Sequence, residues 1–252
     1  MCTVVFLRRP GHDWPLIIAA NRDERVERPW RPPARHWPDR DIVAGLDELA
    51  GGTWLGINNH GVVAGVLNRP GTLGPAAGLR SRGELPLEAL DHADAVAAVA
   101  ALARLDARAW RPFNMFVADN RDAFWIRSLG GDAPDAITVH EVPEGLSMLT
   151  AHDLNDTTSA RIRYYLPRFR AAAVPDPNRN DWSAWQALLA SRATEAGCGP
   201  RSAMTVVTPE GFGTTSSSLI ALPSVAAAPK VKPVWKFGRG HPDSIRYEDV
   251  TL

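Results

Sequence analysis

The chain opens with MCTVVFLRRPGHDWPLIIAANRDER, residues 1–25, and this segment determines where the N-terminus lies in the fold. Residues 3–7 and 16–20 are rich in β-branched and other apolar side chains, which predicts two strands. Residues 10–13, Pro-Gly-His-Asp, are typical of a turn. We therefore expect an antiparallel hairpin that starts at the N-terminus itself, with residues 21–25 leaving the second strand as a charged segment.

Cys2 stands directly before the first predicted strand. One interpretation is structural, because cysteine is often buried as a small apolar residue. The other is chemical: removal of Met1 would place the α-amine of Cys2 beside its own thiol. A free α-amine has an ordinary pKa of about 8 and can act as the base that activates the thiol. One residue would then supply both nucleophile and base.

The segment Asn21-Arg22-Asp23-Glu24 follows the second strand. A run of charged residues is usually a solvated turn. In an antiparallel hairpin, however, the end of the second strand returns to the start of the first, so these residues are expected near the N-terminus. Arg22 could then lower a thiol pKa or hold a carboxylate, Asp23 could hold the α-ammonium group, and Glu24 could fix the loop beneath.

Asn68 ends another apolar stretch, VVAGVLN at residues 62–68, just before Pro70-Gly71. A side-chain amide held at a strand end can donate a hydrogen bond to a developing oxyanion. An Asx turn is the structural alternative, and the residues alone leave both interpretations open.

The rest of the chain follows the order strands, helices, strands, helices, strands, which favours an α+β fold over alternating βαβ units. Residues 26–40 are expected to form a proline-rich loop, residues 81–84 have the spacing of a capping box, and Asp94 is a predicted N-cap. We expect a single domain over residues 1–252. Further strands are predicted at residues 42–46, 53–57, 62–67, 113–118, 123–127, 137–142, 147–150, 204–208, 216–222 and 234–237, and helices at residues 81–92, 94–108, 158–169 and 181–193.

The composition limits the classes of function. The formal net charge is zero, from 28 basic and 28 acidic residues, which gives no electrostatic attraction to nucleic acid. Two cysteines are too few for a disulfide scaffold, and no apolar run approaches the ~20 residues of a membrane span, so a cytoplasmic protein is expected. No phosphate loop or metal-ligand spacing is visible, so we expect no metal and no resident cofactor. The nine tryptophans indicate either core packing or an aromatic-lined cleft for an apolar, planar ligand.

Several motifs together resemble the NRDE family, the transport and Golgi organisation family. The start Met-Cys-Thr is followed by Asn21-Arg22-Asp23-Glu24 and by Arg28-Pro29. The resemblance is strong over roughly the first third of the chain and looser beyond it. Further matching motifs are Ala44-Gly45-x-Asp47, GGTWLGI at residues 51–57, SRGEL at residues 81–85, Phe113-Asn114, and GFGTTSSS at residues 211–218.

The family is similar in turn to the N-terminal-nucleophile hydrolases, above all to the bile-salt hydrolase and penicillin acylase group. This resemblance implies a four-layer αββα sandwich, in which two stacked antiparallel sheets lie between helix layers. It implies catalytic roles for Cys2, for Arg22 or Asp23, and for Asn68 as the oxyanion donor. The candidate substrate-binding residues are Asn21, Glu24, Trp54, Asn114 and His152.

Two positions depart from the family pattern. The family usually has Leu-Ser-Asn where this chain has Leu-Thr-Ala-His at residues 149–152, so His152 or Asn155 is expected to replace the asparagine. The family's late Gly-Thr-Arg is Gly213-Thr214-Thr215 here, so that arginine is lost.

Three functions are consistent with these features. The first is a hydrolase or acyltransferase in which Cys2 attacks a carbon–nitrogen amide bond of a small molecule. The second is a non-catalytic carrier of haem, a lipid or an acyl-CoA, because the resemblance links the family to haem handling and to acyl-CoA metabolism. Haem would then be a transported ligand, and no Cys-x-x-Cys-His motif is present to attach it. The third is an interaction protein with an inert Cys2.

Overall fold

The computed structural model describes residues 2–133, 135–228 and 230–252. These residues pack into two compact units. The first unit combines residues 2–28 with residues 143–251, and the second holds residues 29–142 together with Leu252. The chain therefore begins in the first unit, forms the second and returns, so that the first unit is built from two separate stretches of sequence. The single domain over residues 1–252 stays a prediction.

Strands and helices follow one another in runs, which confirms the α+β class that the sequence predicts. In chain order the elements are β1 (Thr3–Arg8), β2 (Leu16–Arg25), β3 (Trp30–Ala34), β4 (Ile42–Asp47), β5 (Leu55–Asn58), β6 (Val63–Asn68), α1 (Glu84–Ala89), α2 (Ala95–Leu102), β7 (Phe113–Ala118), β8 (Ala123–Ser128), β9 (Ile137–Glu141), β10 (Gly145–Leu149), α3 (Ala160–Ala171), α4 (Ser183–Leu189), β11 (Phe212–Leu222), β12 (Val234–Arg239) and β13 (Glu248–Asp249).

The first unit holds an antiparallel sheet with the strand order β10-β1-β2-β11-β12-β13. Strands β1 and β2 form the predicted N-terminal hairpin, with Thr3 opposite Asn21. The prediction that residues 21–25 leave the second strand is wrong. Strand β2 continues to Arg25, because these residues pair with β11 along its other edge.

Helices α3 and α4 pack against this sheet around an aromatic core. Ser159 begins α3 as its N-cap, since its side chain accepts a hydrogen bond from the backbone N–H of Ile162. Trp14, Trp182 and Trp185 lie buried in this core, so these three tryptophans serve packing instead of lining an aromatic cleft.

The second unit holds an antiparallel sheet with the strand order β3-β4-β5-β6-β7-β8-β9, in which each strand pairs with its neighbours in sequence. Helices α1 and α2 pack on it around apolar side chains such as Ile42, Leu85 and Met115. The predicted cap of α2 is confirmed, because the Asp94 carboxylate accepts a hydrogen bond of 2.7 Å from the Ala97 backbone N–H. No helix in the described part of the chain has both the length and the apolar character to cross a membrane.

The predicted capping box at residues 81–84 is wrong. Gly83 occupies the N-cap position of α1 and makes no side-chain cap bond. The Glu84 carboxylate instead accepts two hydrogen bonds from the guanidinium of Arg80, so it is not free to reach back to the start of the helix.

Two predicted backbone conformations also differ from the structure. Residues 30–34, expected as loop, form the edge strand β3, where prolines are tolerated because one side of the strand needs no hydrogen-bond partner. Residues 204–208, expected as a strand, form only an isolated bridge through Val207. One reason is that side chains form hydrogen bonds with backbone groups of this segment. The Met204 carbonyl, for example, accepts a hydrogen bond of 2.9 Å from the Asn21 side-chain amide.

Candidate functional site

Cys2 lies immediately before β1, in the first unit. Its thiol donates a hydrogen bond of 3.8 Å to the backbone carbonyl of Asp23. The residue as a whole is partly exposed. The protein atoms around the thiol exclude water from it, and this desolvation raises the pKa of the thiol. The negative charge of Asp23 raises this pKa further, and the positive charge of Arg22 lowers it. At neutral pH the group is therefore a thiol, and it needs a base to become a nucleophile.

Asp23, whose backbone carbonyl accepts from this thiol, has a fully buried carboxylate. One oxygen, Oδ2, accepts a hydrogen bond of 2.9 Å from Nη1 of Arg161, and the other, Oδ1, accepts one of 2.7 Å from the hydroxyl of Thr214. The side chains of Asp23 and Arg161 are 0% and 4% exposed. A buried charge is tolerated only when it is paired, so Arg161 is the countercharge of Asp23.

Arg161 is a site residue that the sequence analysis missed. Its guanidinium also donates to the hydroxyl of Thr3 at 2.5 Å and to the backbone carbonyl of Arg201 at 2.7 Å. One side chain from the first turn of α3 therefore joins the strand that follows Cys2, the buried carboxylate and the segment around Arg201.

A signal for Arg161 exists in the sequence. It lies four and eight residues before Tyr165 and Phe169, and all three are buried on the same face of α3. A cation on an otherwise apolar helix face predicts a buried anionic partner, because an unpaired buried charge is very costly. The sequence alone does not say which carboxylate that partner is.

Arg22 contacts the position at which the family's arginine is lost. Its Nη1 donates a hydrogen bond of 3.2 Å to the hydroxyl of Thr215, and that hydroxyl lies 3.3 Å from the Arg22 backbone carbonyl. Strand β11 has an irregularity between Thr214 and Ser216. Consecutive hydroxyls of β11 therefore reach the charged side chains of β2, one at Asp23 and one at Arg22.

Asn21 and Glu24 flank this pair on β2. The buried Asn21 amide donates to the backbone carbonyls of Leu189 and Met204, and its oxygen accepts a hydrogen bond of 2.7 Å from Ser217. These bonds make Asn21 a brace between β2, β11, the last residue of α4 and the segment around Met204. Glu24 is partly exposed and accepts a hydrogen bond from the next backbone N–H. The substrate-binding roles of both residues stay predictions.

His152 lies in the wall of a cavity of about 480 Å³ in the first unit. Its Nδ1 is 3.8 Å from the Asp156 carboxylate. Asn155 is the other candidate to replace the family's asparagine. Its side chain is held against β10, because its amide donates to the Ser147 hydroxyl and its oxygen accepts from the Met148 backbone N–H. Of the two candidates, His152 is therefore the one that lines the cavity. Among the residues that the structure describes, no group of three or more His, Cys, Asp or Glu side chains could hold a metal ion.

Asn68 belongs to the second unit. It is the last residue of β6 and lies opposite Phe113 of β7, at the strand end that the sequence predicts. Its role as an oxyanion donor stays a prediction.

Trp54 and Asn114 also belong to the second unit. The Trp54 ring packs edge-on against Trp30, with ring centroids 5.5 Å apart, and it occupies the space that a side chain at Gly45 would need. The buried Asn114 accepts a hydrogen bond of 2.7 Å from Arg69. These contacts give Trp54 and Asn114 structural roles in packing and hydrogen bonding. The predicted contacts of both residues with a substrate stay predictions.

The fold is similar to that of solved acylase and hydrolase structures. Penicillin V acylase from Agrobacterium tumefaciens aligns with a TM-score of 0.52 and 15% sequence identity, over 99% of this chain and 86% of that chain. A variant of conjugated bile acid hydrolase from Clostridium perfringens aligns with a TM-score of 0.54 and 12% identity, over 100% of this chain and 97% of that chain. The predicted fold class is confirmed, and at these identities the likeness concerns the fold alone.

The chain belongs to the Transport and Golgi organisation 2 family, whose model matches residues 1–224. The bovine Transport and Golgi organization protein 2 homolog is 31% identical over 128 residues, which cover 47% of this chain and 45% of the relative. The human homolog is 37% identical over 75 residues, which cover 27% of each chain. The matched segments therefore span less than half the length of these relatives. The family resemblance in the sequence motifs is confirmed.

Proposed function

We propose that this chain is an N-terminal-cysteine hydrolase or acyltransferase that acts on a carbon–nitrogen amide bond of a small molecule in the cytoplasm, without a nucleic-acid partner. The observation that carries the proposal is the surroundings of the Cys2 thiol. The thiol donates a hydrogen bond to the backbone carbonyl of Asp23, and the carboxylate of the same residue is held by Arg161 and Thr214 in a buried polar network. The names of the structural neighbours, an acylase and a bile acid hydrolase, support amide cleavage.

The reaction begins with a proton transfer within one residue. Removal of Met1 gives Cys2 a free α-amine, which takes the thiol proton. The sulfur then bonds to the amide carbonyl carbon, and the carbonyl π electrons move to oxygen. When they return, the carbon–nitrogen bond breaks and the leaving amine takes the proton from the α-ammonium group. Water hydrolyses the resulting thioester in a hydrolase, and an amine or hydroxyl acceptor takes the acyl group in an acyltransferase.

The electrostatics of the site explain why a base is needed. Burial and the Asp23 carboxylate raise the pKa of the Cys2 thiol, so little thiolate is present before a substrate arrives. A neutral thiol with an adjacent amine avoids an unpaired buried anion in the resting protein. In this mechanism Asp23 holds the α-ammonium group that forms during attack and Arg22 orients the substrate, while the oxyanion role of Asn68 stays what the sequence resemblance implies.

Labelling of Cys2 tests the proposal directly. Intact-mass measurement first establishes whether Met1 has been removed. The processed protein is then incubated with penicillin V, a lactam electrophile, and digested for peptide mapping. We expect the adduct on the Cys2 peptide of wild-type protein and none in Cys2→Ala. Cys198→Ala is the matched control because it removes the other cysteine of the sequence, and it should label like wild type. Acyl-amide hydrolysis that is unchanged in Cys2→Ala would end the nucleophile hypothesis.

A carrier of haem, a lipid or an acyl-CoA is the second candidate. It is favoured by the cavity in the first unit, whose wall includes a partly exposed imidazole, His152. Imidazole is a common ligand of haem iron. Fold does not fix function, so a hydrolase fold can also serve as a carrier. A haem titration that produces no change in absorbance would reject this role for haem.

A further inference from the structure

Strands β1 and β2 place Cys2 and the Arg22 side chain on the same face of the first sheet. Helices α3 and α4 cover the other face, where Ala19 of β2 belongs to the core beneath them. Side chains alternate along a strand, so Arg22, three residues after Ala19, lies on the face opposite these helices. The register pairs Thr3 with Asn21, and continued by one residue it sets Cys2 opposite Arg22. In agreement with this placement, the positive charge of Arg22 opposes the rise in the pKa of the Cys2 thiol.

Strand β11 has a β-bulge opposite Arg22. The register pairs Thr214 with Asp23 and Ser216 with Arg22. Thr215 is therefore the extra residue of the bulge. In a β-bulge two residues oppose one residue of the neighbouring strand, which changes the direction of a side chain. The bulge thus directs the Thr215 hydroxyl to the face on which Arg22 lies.

The Thr215 hydroxyl contacts Arg22 both as acceptor and as donor. It accepts a hydrogen bond of 3.2 Å from Nη1 of the guanidinium, and it donates to the backbone carbonyl of Arg22 over 3.3 Å. Both residues are buried. One small side chain thus links the guanidinium of Arg22 to the backbone of the same residue and restricts the directions that the guanidinium can take.

The backbone of the bulge is held by bonds that do not involve this hydroxyl. The backbone N–H of Thr214 donates to the Val206 carbonyl, and the Thr215 carbonyl accepts from the Gly240 N–H, each over 2.9 Å. The backbone position of Thr215 therefore does not depend on its contact with Arg22. Replacement of the hydroxyl by a methyl group should release the guanidinium and leave the bulge in place.

We propose that Thr215 is a positioning residue, and that its hydroxyl holds the Arg22 guanidinium beside the Cys2 thiol. The inference rests on the proposed function, in which Cys2 is the nucleophile and Arg22 orients the substrate. It adds a residue that acts on the reaction through Arg22, at the position where this chain lacks the family's usual arginine. Without the hydroxyl, Arg22 keeps its charge and loses its fixed direction.

The selectivity of Cys2 between two alkylating reagents reports on the position of the Arg22 charge. In Cys198→Ser protein, Cys2 is the one remaining cysteine of the sequence. Its alkylation rate is measured with iodoacetate, which is anionic, and with iodoacetamide, which is neutral. Both reagents react with the same thiolate, so a change in the pKa or exposure of the thiol alters both rates alike. A displaced guanidinium lowers the ratio of the iodoacetate rate to the iodoacetamide rate, because it attracts the anion less.

Thr215→Val should lower this ratio by about 3- to 5-fold, since a unit charge at ~4 Å in water changes a rate by about 5-fold. Arg22→Gln removes the charge and should lower the ratio at least as far. Thr215→Ser keeps the hydroxyl and should give a ratio close to that of wild type. Ser218→Ala is the matched control on the same strand, because the Ser218 hydroxyl accepts from the indole of Trp235. This control should keep the wild-type ratio.

The near-UV circular dichroism of each variant shows whether it is folded, and Thr215→Ala replaces Thr215→Val if the latter does not fold. A wild-type ratio in the folded variant without the hydroxyl would overturn the positioning role. A ratio in Thr215→Ser as low as in that variant would also overturn it, and so would a wild-type ratio in Arg22→Gln.

Labelling of Cys2 by penicillin V, measured on the same proteins, separates this inference from the proposed function. Wild-type labelling together with an unchanged reagent ratio in Thr215→Val would overturn the inference and leave the proposed function standing. A lowered ratio in Thr215→Val, in a protein whose Cys2 penicillin V never labels, would support the position of Arg22 and reject the proposed function.

Discussion

Arg161→Met is the substitution that tests the charged network most directly, because it removes the guanidinium and keeps an apolar side chain in its place. Asp23 then stays buried without its countercharge, from which it was 2.9 Å away. Breaking a buried ion pair by removing one partner costs about 3–5 kcal/mol, since the remaining charge is neither paired nor solvated. For a chain of this length that loss corresponds to a fall in Tm of roughly 6–20 °C.

A double-mutant cycle separates the pair from its surroundings. Asp23→Asn with Arg161→Met removes both charges, so the double variant should lose less stability than the sum of the two single losses. We expect a coupling free energy of about 1–3 kcal/mol. The assay is urea unfolding followed by tryptophan fluorescence, which reports on the buried Trp182 and Trp185 of the same unit.

The exposed ion pair between Arg163 and Glu195 provides the control for this cycle. Its removal should cost about 0–1 kcal/mol, because water screens an exposed pair. The reasoning is refuted if Arg161→Met costs no more than this control, or if the two single losses at Asp23 and Arg161 add without coupling.

Four further predictions concern other groups of the protein. In Cys198→Ser protein that retains Met1, alkylation of Cys2 should become fast only at alkaline pH, because burial raises the thiol pKa. The alkylation rate is measured against pH. A midpoint of that curve at or below about 8.5, the pKa of a free thiol, would contradict this expectation. Burial also raises the pKa of Tyr247 to about 12, so the free energy of unfolding should fall as the pH rises from about 10 towards that value. Tyr247→Phe should lose less stability than wild type over this range. Equal losses in the two proteins would count against the raised pKa of Tyr247. Asn68→Ala should lower amide cleavage about 100- to 1000-fold if Asn68 is the oxyanion donor, and unchanged turnover would indicate a role in the turn alone. If the protein carries haem, titration should give an absorbance change that His152→Ala weakens, and a wild-type protein without any change would exclude haem binding.

Elements whose signals lie within a few residues can be predicted from the amino-acid sequence. The N-terminal hairpin, the strands β7 and β8 and the Asp94 cap all appear where short-range patterns predict them. Alternating side chains, turn residues and caps act on the local backbone, so they can be recognised without knowing what packs against it. The motif at residues 21–24 likewise located two charged residues of the candidate site, Arg22 and Asp23.

The pairing of those charges depends on the complete fold. Asp23 meets Arg161, which is 138 residues away in sequence, and Thr214, which is 191 residues away. The extension of β2 to Arg25 likewise depends on β11, since charged residues have weak strand preference until a neighbouring strand takes up their backbone hydrogen bonds. Local patterns record which side chains prefer burial or a strand, whereas the choice of partner for a buried charge depends on the distances that the complete fold imposes.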